Sequence, residues 1–337
     1  MRQKLIILFN EKIHDNNGIF SSDGKESKSL SEGLNKFFKI EILGRYSKTK
    51  NVHEISLNNV NIAKNIIFYL KFVIKNLFKN KKYLIVSITP FTFLSIFILI
   101  LGGKKPYIYL RSDGFKEYHY KFGFLGRIAY GLMFYAVSWR CKLISCNQII
   151  LKKNKGTLVS PSQLTSKWFL NHKNISVSDI KLLYVGRLRV EKGIFDLVNI
   201  LKDSQSKYNL TILSDSKNKN SFKFFNKVKI IEVDNKIDSI INTYDNHNIV
   251  VLPSFTEGHP QVLDEALARR RPVIIFEEIS HVIGKRRGVF VAKRNYLDLE
   301  RNIIYIKKNY EKIIEDIKKN SLPLKDTFLI KFKDAIN

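Results

Sequence analysis

Apolar runs of strand length alternate with longer stretches of helical period along most of the 337-residue chain. This is the pattern of parallel sheets covered by helices on both faces. In the first half it predicts strands at 4–9, 39–43, 83–88, 106–111 and 142–146. Between the second and third, Ala63, Ile66, Ile67, Leu70, Val73, Ile74 and Leu77 recur at helical spacing over 62–78, with Lys64, Lys71 and Lys75 on another face. Two readings of that basic helix stand side by side. It covers the core with a solvated lysine face, or its Phe68, Tyr69 and Phe72 dock with the lysines on an anionic membrane surface.

Tyr83 to Gly103 is long enough and uncharged enough to span a bilayer. Pro90 inside it, the polar Thr89, Thr92 and Ser95, and the strand-like Leu84-Ile85-Val86-Ser87-Ile88 predict instead a buried strand followed by a helix at 91–101. The opening run 5–9 is too short for a signal-peptide core and reads as a first buried strand.

The polar stretch 171–179 separates two strand-and-helix series, which gives domains at 1–172 and 173–337. The second series comprises strands at 181–186, 209–213, 228–233, 248–252, 272–276 and 288–291, with helices at 193–202, 236–244 and 260–269. Helical tails at 296–319 and 324–335 follow, parted by Pro323, the last free to pack back on the first domain. Two doubly wound α/β halves imply a cleft at the carboxyl ends of their sheets, where ligands of such folds bind.

Composition narrows the possibilities. With 45% hydrophobic and 26% charged residues the chain is neither disordered nor fibrous, and it shows no solenoid repeat. Two cysteines make no disulfide framework and fit a reducing, cytoplasmic setting. The net charge of +28 falls unevenly: residues 1–170 carry 28 basic and 9 acidic side chains, the remainder 30 and 21. Such a field attracts nucleic acid, anionic lipid or phosphorylated substrates alike. No zinc, homeodomain or RNA-recognition signature supports nucleic acid.

Two clusters carry chemistry. In Leu183-Tyr184-Val185-Gly186-Arg187-Leu188-Arg189-Val190-Glu191-Lys192-Gly193, a strand runs through glycine into a helix, and Arg187 and Lys192 present two cations near a helix end, a place that suits a diphosphate. In Pro253-Ser254-Phe255-Thr256-Glu257-Gly258-His259-Pro260-Gln261-Val262-Leu263-Asp264-Glu265, a strand ends, a loop carries Glu257, and Pro260 starts a helix bearing Glu265. Free amides there can hold sugar hydroxyls or phosphate oxygens, and a carboxylate such as Glu265 can accept from both hydroxyls of a ribose.

Gly186-Arg187 and Glu191-Lys192-Gly193, followed by the two glutamates eight positions apart, resemble the retaining GT-B glycosyltransferases of family 4. The resemblance is dense over 181–292. It implies two Rossmann-like domains, the first for the acceptor and the second for a nucleotide diphosphate sugar. Arg187 and Lys192 would stabilise the leaving diphosphate, Glu257 would lie by the donor sugar, Glu265 would hold the ribose, and Gly186, Gly258, His259, Pro260, Gln261 and Val262 would complete the donor site. No metal or other cofactor is implied, and no Asp-x-Asp occurs. The implied reaction transfers sugar to a hydroxyl of a saccharide, lipid-linked and presented at the inner face of the cell membrane, in O-antigen, capsule or lipopolysaccharide synthesis. In the first domain Gly18, in a loop read over 10–18, and Arg111 and Asp113, at a strand end, are the acceptor-side candidates. Asp113 either orients an acceptor hydroxyl or belongs to an Asp-Gly turn. His259 stands where the family often has an aromatic residue. On the same fold, an epimerase or a phosphorylase is the alternative.

Overall fold

The structure is a computed structural model that describes residues 2–49, 53–203, 207–214, 227–234 and 236–337. The chain divides into two compact units, 1–161 with 326–337, and 162–325.

In the first unit lie strands β1 Lys4–Asn16, β2 Ile19–Ser22, β3 Lys39–Tyr46, β4 His53–Ile55, β5 Val60–Ala63, β6 Lys82–Val86, β7 Tyr107–Leu110, β8 Lys142–Ser145 and β9 Gly156–Leu158, and helices α1 Lys25–Leu34, α2 Ile66–Asn76, α3 Pro90–Leu101 and α4 Gly114–Ser138. Parallel pairing runs β5-β3-β1-β6-β7-β8-β9. The buried residues of β1 show why this sheet needs cover on both sides. Leu5 and Ile7 join a core capped by α1, whereas Ile6 and Leu8 join one capped by α2, α3 and α4. Tyr83–Gly103 is a strand and a helix, β6 and α3, and no described helix is long and apolar enough to cross a membrane.

The second unit contains β10 Lys181–Val185, β11 Asn209–Ser214, β12 Val228–Glu232, β13 Ile249–Leu252, β14 Val273–Phe276 and β15 Val289–Ala292, with helices α5 Ile194–Asp203, α6 Ile237–Asp245, α7 Gln261–Ala268, α8 Tyr296–Lys308 and α9 Tyr310–Lys318. Its order is β12-β11-β10-β13-β14-β15, all parallel. Winding starts at β10, proceeds outward to β12, then restarts on the other side at β13. The switch point therefore falls between β10 and β13, and the loops leaving these two strands flank it. A last helix, α10 Lys325–Ile336, places Phe328, Leu329, Phe332 and Ile336 in the first unit's core beside α1.

The structure revises several expected boundaries. The change of unit comes at 161/162, ahead of the polar stretch, because Leu164 and Trp168 pack into the second core. Arg269, fully buried, fixes that segment by donating to the carbonyls of Trp168, Leu170 and Asn171 while pairing with Asp245 at 2.7 Å. The helix expected over 62–78 gives its first residues to β5 and begins at Ile66, capped by the Asn65 side chain. The tail at 296–319 is two helices meeting at Asn309, whose backbone leaves helical geometry. Residues 10–18 are not a loop: β1 continues to Asn16, and Asn17-Gly18, both at positive φ, turn it back into β2. Asn-Gly is the pair that a two-residue hairpin of this kind requires. Helix α4 had no counterpart in the expected elements, since Gly123, Gly126 and Gly131 dilute its apolar period; Gly123 is itself non-helical.

Candidate functional site

Two loops leave the switch point of the second unit, 186–193 after β10 and 253–260 after β13. Gly193 brings them into contact. It adopts φ of 63°, and a Cβ there would collide with the Pro253 carbonyl oxygen, so this position needs glycine for both its conformation and its contact. The Phe255 amide donates to the Glu191 carbonyl at 3.0 Å and stitches the loops together beyond that point. Gly193 closes a short 3₁₀ turn, Val190–Lys192, and its carbonyl accepts the first bond of α5. Gly186 extends the ladder by donating to Leu213, and the Tyr184 hydroxyl donates to the Arg187 carbonyl.

The charged groups follow from this geometry. Lys192 Nζ lies 2.6 Å from Glu257 Oε1, and Ser254 Oγ donates to the same oxygen at 2.7 Å. His281 donates from its ring to the Glu257 carbonyl at 2.9 Å, fixing the loop from the far side of β14. Arg187 is exposed, and its guanidinium makes no hydrogen bond or ion pair among the described residues. Of the two cations assigned to one anion, one is already neutralised by a carboxylate and the other is open.

Helix α7 begins after Pro260, its N-cap, with no side chain capping its amides. The donors of Gln261 and Val262 therefore stay at the helix start, where an acceptor is favoured. On this helix Glu265 is buried and accepts from the Tyr244 hydroxyl at 2.8 Å. Burial, reinforced by the Glu265 charge, drives the Tyr244 pKa well above its ordinary value, so this hydroxyl keeps its proton.

His259 turns its ring to Asp264, at 2.8 Å, and Arg286 completes a cluster by holding both carboxylate oxygens of Asp264 at 2.6 and 3.2 Å. Burial alone would raise the Asp264 pKa; hydrogen bonds from His259 and Arg286, with the Arg286 charge, outweigh it and hold the carboxyl below its usual range. One nitrogen of His259 is thus committed to positioning α7.

In the first unit Gly18, Arg111 and Asp113 each have partners of their own. Gly18 is at the tip of the β1–β2 hairpin, its amide donating to Asp15. Arg111 pairs with Glu11 at 3.0 Å. Asp113 is buried: Oδ1 caps α4 through the amides of Phe115 and Lys116, and Oδ2 takes Lys152 at 2.8 Å. Asp-Gly here starts a helix and is not a turn. Gly114 is helical and packed where a Cβ would enter the Tyr130 ring.

Arg294, just past β15, escaped the sequence pattern. Its Nε meets Glu278 at 2.7 Å, its Nη2 donates to the Pro253 carbonyl at 2.9 Å, and its guanidinium stacks over Phe255 at 3.9 Å and Phe276 at 4.5 Å. It clamps the loop that Gly193 touches. Nothing in spacing marks one arginine among 58 Lys and Arg, and Arg286 was hidden for the same reason.

Among the comparisons with known proteins, the family match falls within the second unit. Residues 179–309 match the family model described as Glycosyl transferases group 1. Over 116 residues the chain is 31% identical to the putative teichuronic acid biosynthesis glycosyltransferase TuaC of Bacillus subtilis, covering 34% of this chain and 29% of TuaC. Over 201 residues it is 27% identical to the capsular polysaccharide biosynthesis glycosyltransferase CapM of Staphylococcus aureus, covering 53% of this chain and 50% of CapM. The chain thus spans half or less of these relatives. Among solved structures it is similar to sucrose-phosphate synthase of Thermosynechococcus elongatus, with a TM-score of 0.71, 15% identity, and 99% and 98% of the two chains covered.

Proposed function

We propose, from the match of residues 179–309 to the group 1 glycosyltransferases and from the GT-B fold, that the chain moves a sugar from a nucleotide diphosphate sugar to a hydroxyl of a saccharide acceptor, with retention of configuration, in cell-surface polysaccharide synthesis. The observation that carries this reading is the convergence at one switch point of Arg187, Lys192, Glu257 and the open start of α7. The likeness to TuaC and CapM supports the polysaccharide setting.

The diphosphate occupies the place between Arg187, Lys192 and the amides of Gln261 and Val262. Lys192 exchanges part of its pairing with Glu257 for a phosphate oxygen, and Glu257, held by Ser254, faces the sugar. Glu265, oriented by Tyr244, accepts from the ribose hydroxyls. The acceptor oxygen bonds to the anomeric carbon as the bond from that carbon to the diphosphate breaks; the departing diphosphate takes the acceptor proton. Two cations and a helix start supply the negative-charge stabilisation that the leaving group needs, so the reaction proceeds without metal. The acceptor is lipid-linked and reached from the cytoplasmic side, where the basic first unit faces an anionic membrane.

Calorimetric titration with UDP, GDP, dTDP and CMP sugars, without metal, tests this reading on wild type and on Glu265→Ala and Lys192→Ala. Micromolar binding of one diphosphate sugar, lost in both variants, is expected. Folded protein that binds none of them overturns the proposal.

A further inference from the structure

The side of the first unit facing away from its sheet is a layer of α2, α3 and α4, each packed against the next. Every one of these helices carries a second apolar stripe that points to solvent. On α4 and its end, Leu125, Ile128, Leu132, Tyr135 and Trp139 recur at alternating intervals of three and four, which keeps them on one side, and all are between 44% and 77% exposed. The same helix spends Gly126, Tyr130, Phe134 and Val137 on the core, so the outer stripe is not needed to hold it down. Leu94, Phe97 and Leu101 repeat the spacing on α3, and Ile67, Ile74 and Phe78 extend the exposed surface along α2. Three adjacent helices with outward apolar stripes exceed the scattered exposure of an ordinary surface.

Charge selects the occupant. Residues 55–161 contain 17 Lys and Arg against two acidic side chains, Asp113 and Glu117. Both acids are paired, with Lys152 and Lys121 respectively. A second copy would bring two strongly basic surfaces together, whereas a bilayer with anionic headgroups offers opposite charge around an apolar interior. Lys71 and Lys75 lie exposed on α2 among its apolar residues, where their stems can run along the acyl chains and lift the ammonium groups to the phosphates.

We infer that this three-helix face inserts into the acyl-chain region of one leaflet of an anionic bilayer. The inference rests on the membrane reading above and goes beyond it: the contact is hydrophobic insertion steered by charge, not adsorption of a basic surface.

Trp139 reports on it directly. The chain has two tryptophans, Trp139 at 67% exposure and Trp168 buried. With vesicles of phosphatidylcholine and phosphatidylglycerol, the emission shifts to the blue and is quenched by lipids brominated in their acyl chains. Sedimentation with these vesicles persists at molar salt, where screening cuts surface attraction to about 3 Å. The variant Leu125→Ser/Leu132→Ser/Trp139→Ser keeps the wild-type melting temperature and loses salt-resistant binding by about tenfold or more. Binding that is wholly released by salt, with no tryptophan shift, overturns insertion and leaves the membrane reading in place. No binding at low salt removes both. A doubled mass in light scattering that the same substitutions abolish makes this face an interface between copies and overturns the inference.

Discussion

Lys192 and Glu257 stand 65 positions apart in the chain and share an ion pair of 2.6 Å across the two loops of the second unit's switch point. The cation proposed for the diphosphate and the carboxylate proposed for the sugar thus hold each other in place. Their mutual neutralisation keeps two buried-side charges from facing the site unpaired.

This pairing predicts coupling. In thermal melts without nucleotide, Lys192→Ala and Glu257→Gln should be less destabilising together than the sum of the two, by about 0.5–3 kcal/mol. With donor and acceptor, Lys192→Ala should lower kcat by about 100-fold through loss of leaving-group stabilisation. Additive melts would show that the pair is incidental to the loop, and an unchanged kcat would remove Lys192 from the chemistry.

Gly193 is the hinge of that contact. Gly193→Ala must either push Pro253 away or abandon φ of 63°. A cost of about 1–3 kcal/mol is expected, with weaker donor binding. The control Gly103→Ala also alters a positive-φ glycine, but its Cβ would meet nothing nearby, so any larger effect at 193 belongs to the loop contact. Equal melting temperatures and equal donor affinity in the two variants would contradict the assignment.

The buried pair Arg269 and Asp245 ties segment 162–173 to the second unit. Asp245→Ala leaves a fully buried guanidinium without its counter-charge and should cost about 3–5 kcal/mol. Limited proteolysis should then cut within 162–173 first. A stable variant protected there would show that other contacts anchor the segment.

Acid should loosen the second unit before carboxylates titrate. Burial lowers the His247 pKa against the opposing hydrogen bond to the Thr243 carbonyl, with Lys181, Arg271 and Lys229 adding to the decrease; burial likewise lowers His172. A histidine whose folded pKa is depressed gives full stability above its unfolded value, about 6.5, and loses it as pH falls through the folded value. Denaturant melts between pH 7 and 5 should therefore show falling stability, at up to about 1.4 kcal/mol per pH unit for each group, and His247→Gln should flatten the slope. Asp264, also depressed, adds a further loss at more acid pH. A slope unchanged in His247→Gln would remove that histidine from the effect.

Much of the fold is written in local pattern. Val250 to Leu252 and Ile274 to Phe276 are apolar throughout because strands covered on both faces need no polar side, and that run of residues is visible without coordinates. The Gly186 to Gly193 and Pro253 to Glu265 segments stand out in the sequence because a strand end, a turn and a helix start are set by short-range geometry. Helix α4 does not, since it kinks at the non-helical Gly123, and Gly126 meets Tyr118 and Phe122 and Gly131 meets Phe115 only once that kink has formed.

The sequence by itself determined the two doubly wound units, the strands that build them, the order of the candidate motifs and the excess of positive charge, all of which depend on neighbours in the chain. Tertiary structure alone decided which charges meet. It spent Asp113 on capping α4 and on Lys152, turned His259 to Asp264 and Arg286, brought Arg294 across to Pro253, and aligned the exposed stripes of α2, α3 and α4 in one layer. The physical reason is range. Apolar period and turn chemistry act within a few residues, whereas an ion pair or a shared surface depends on distances that only the packed chain sets.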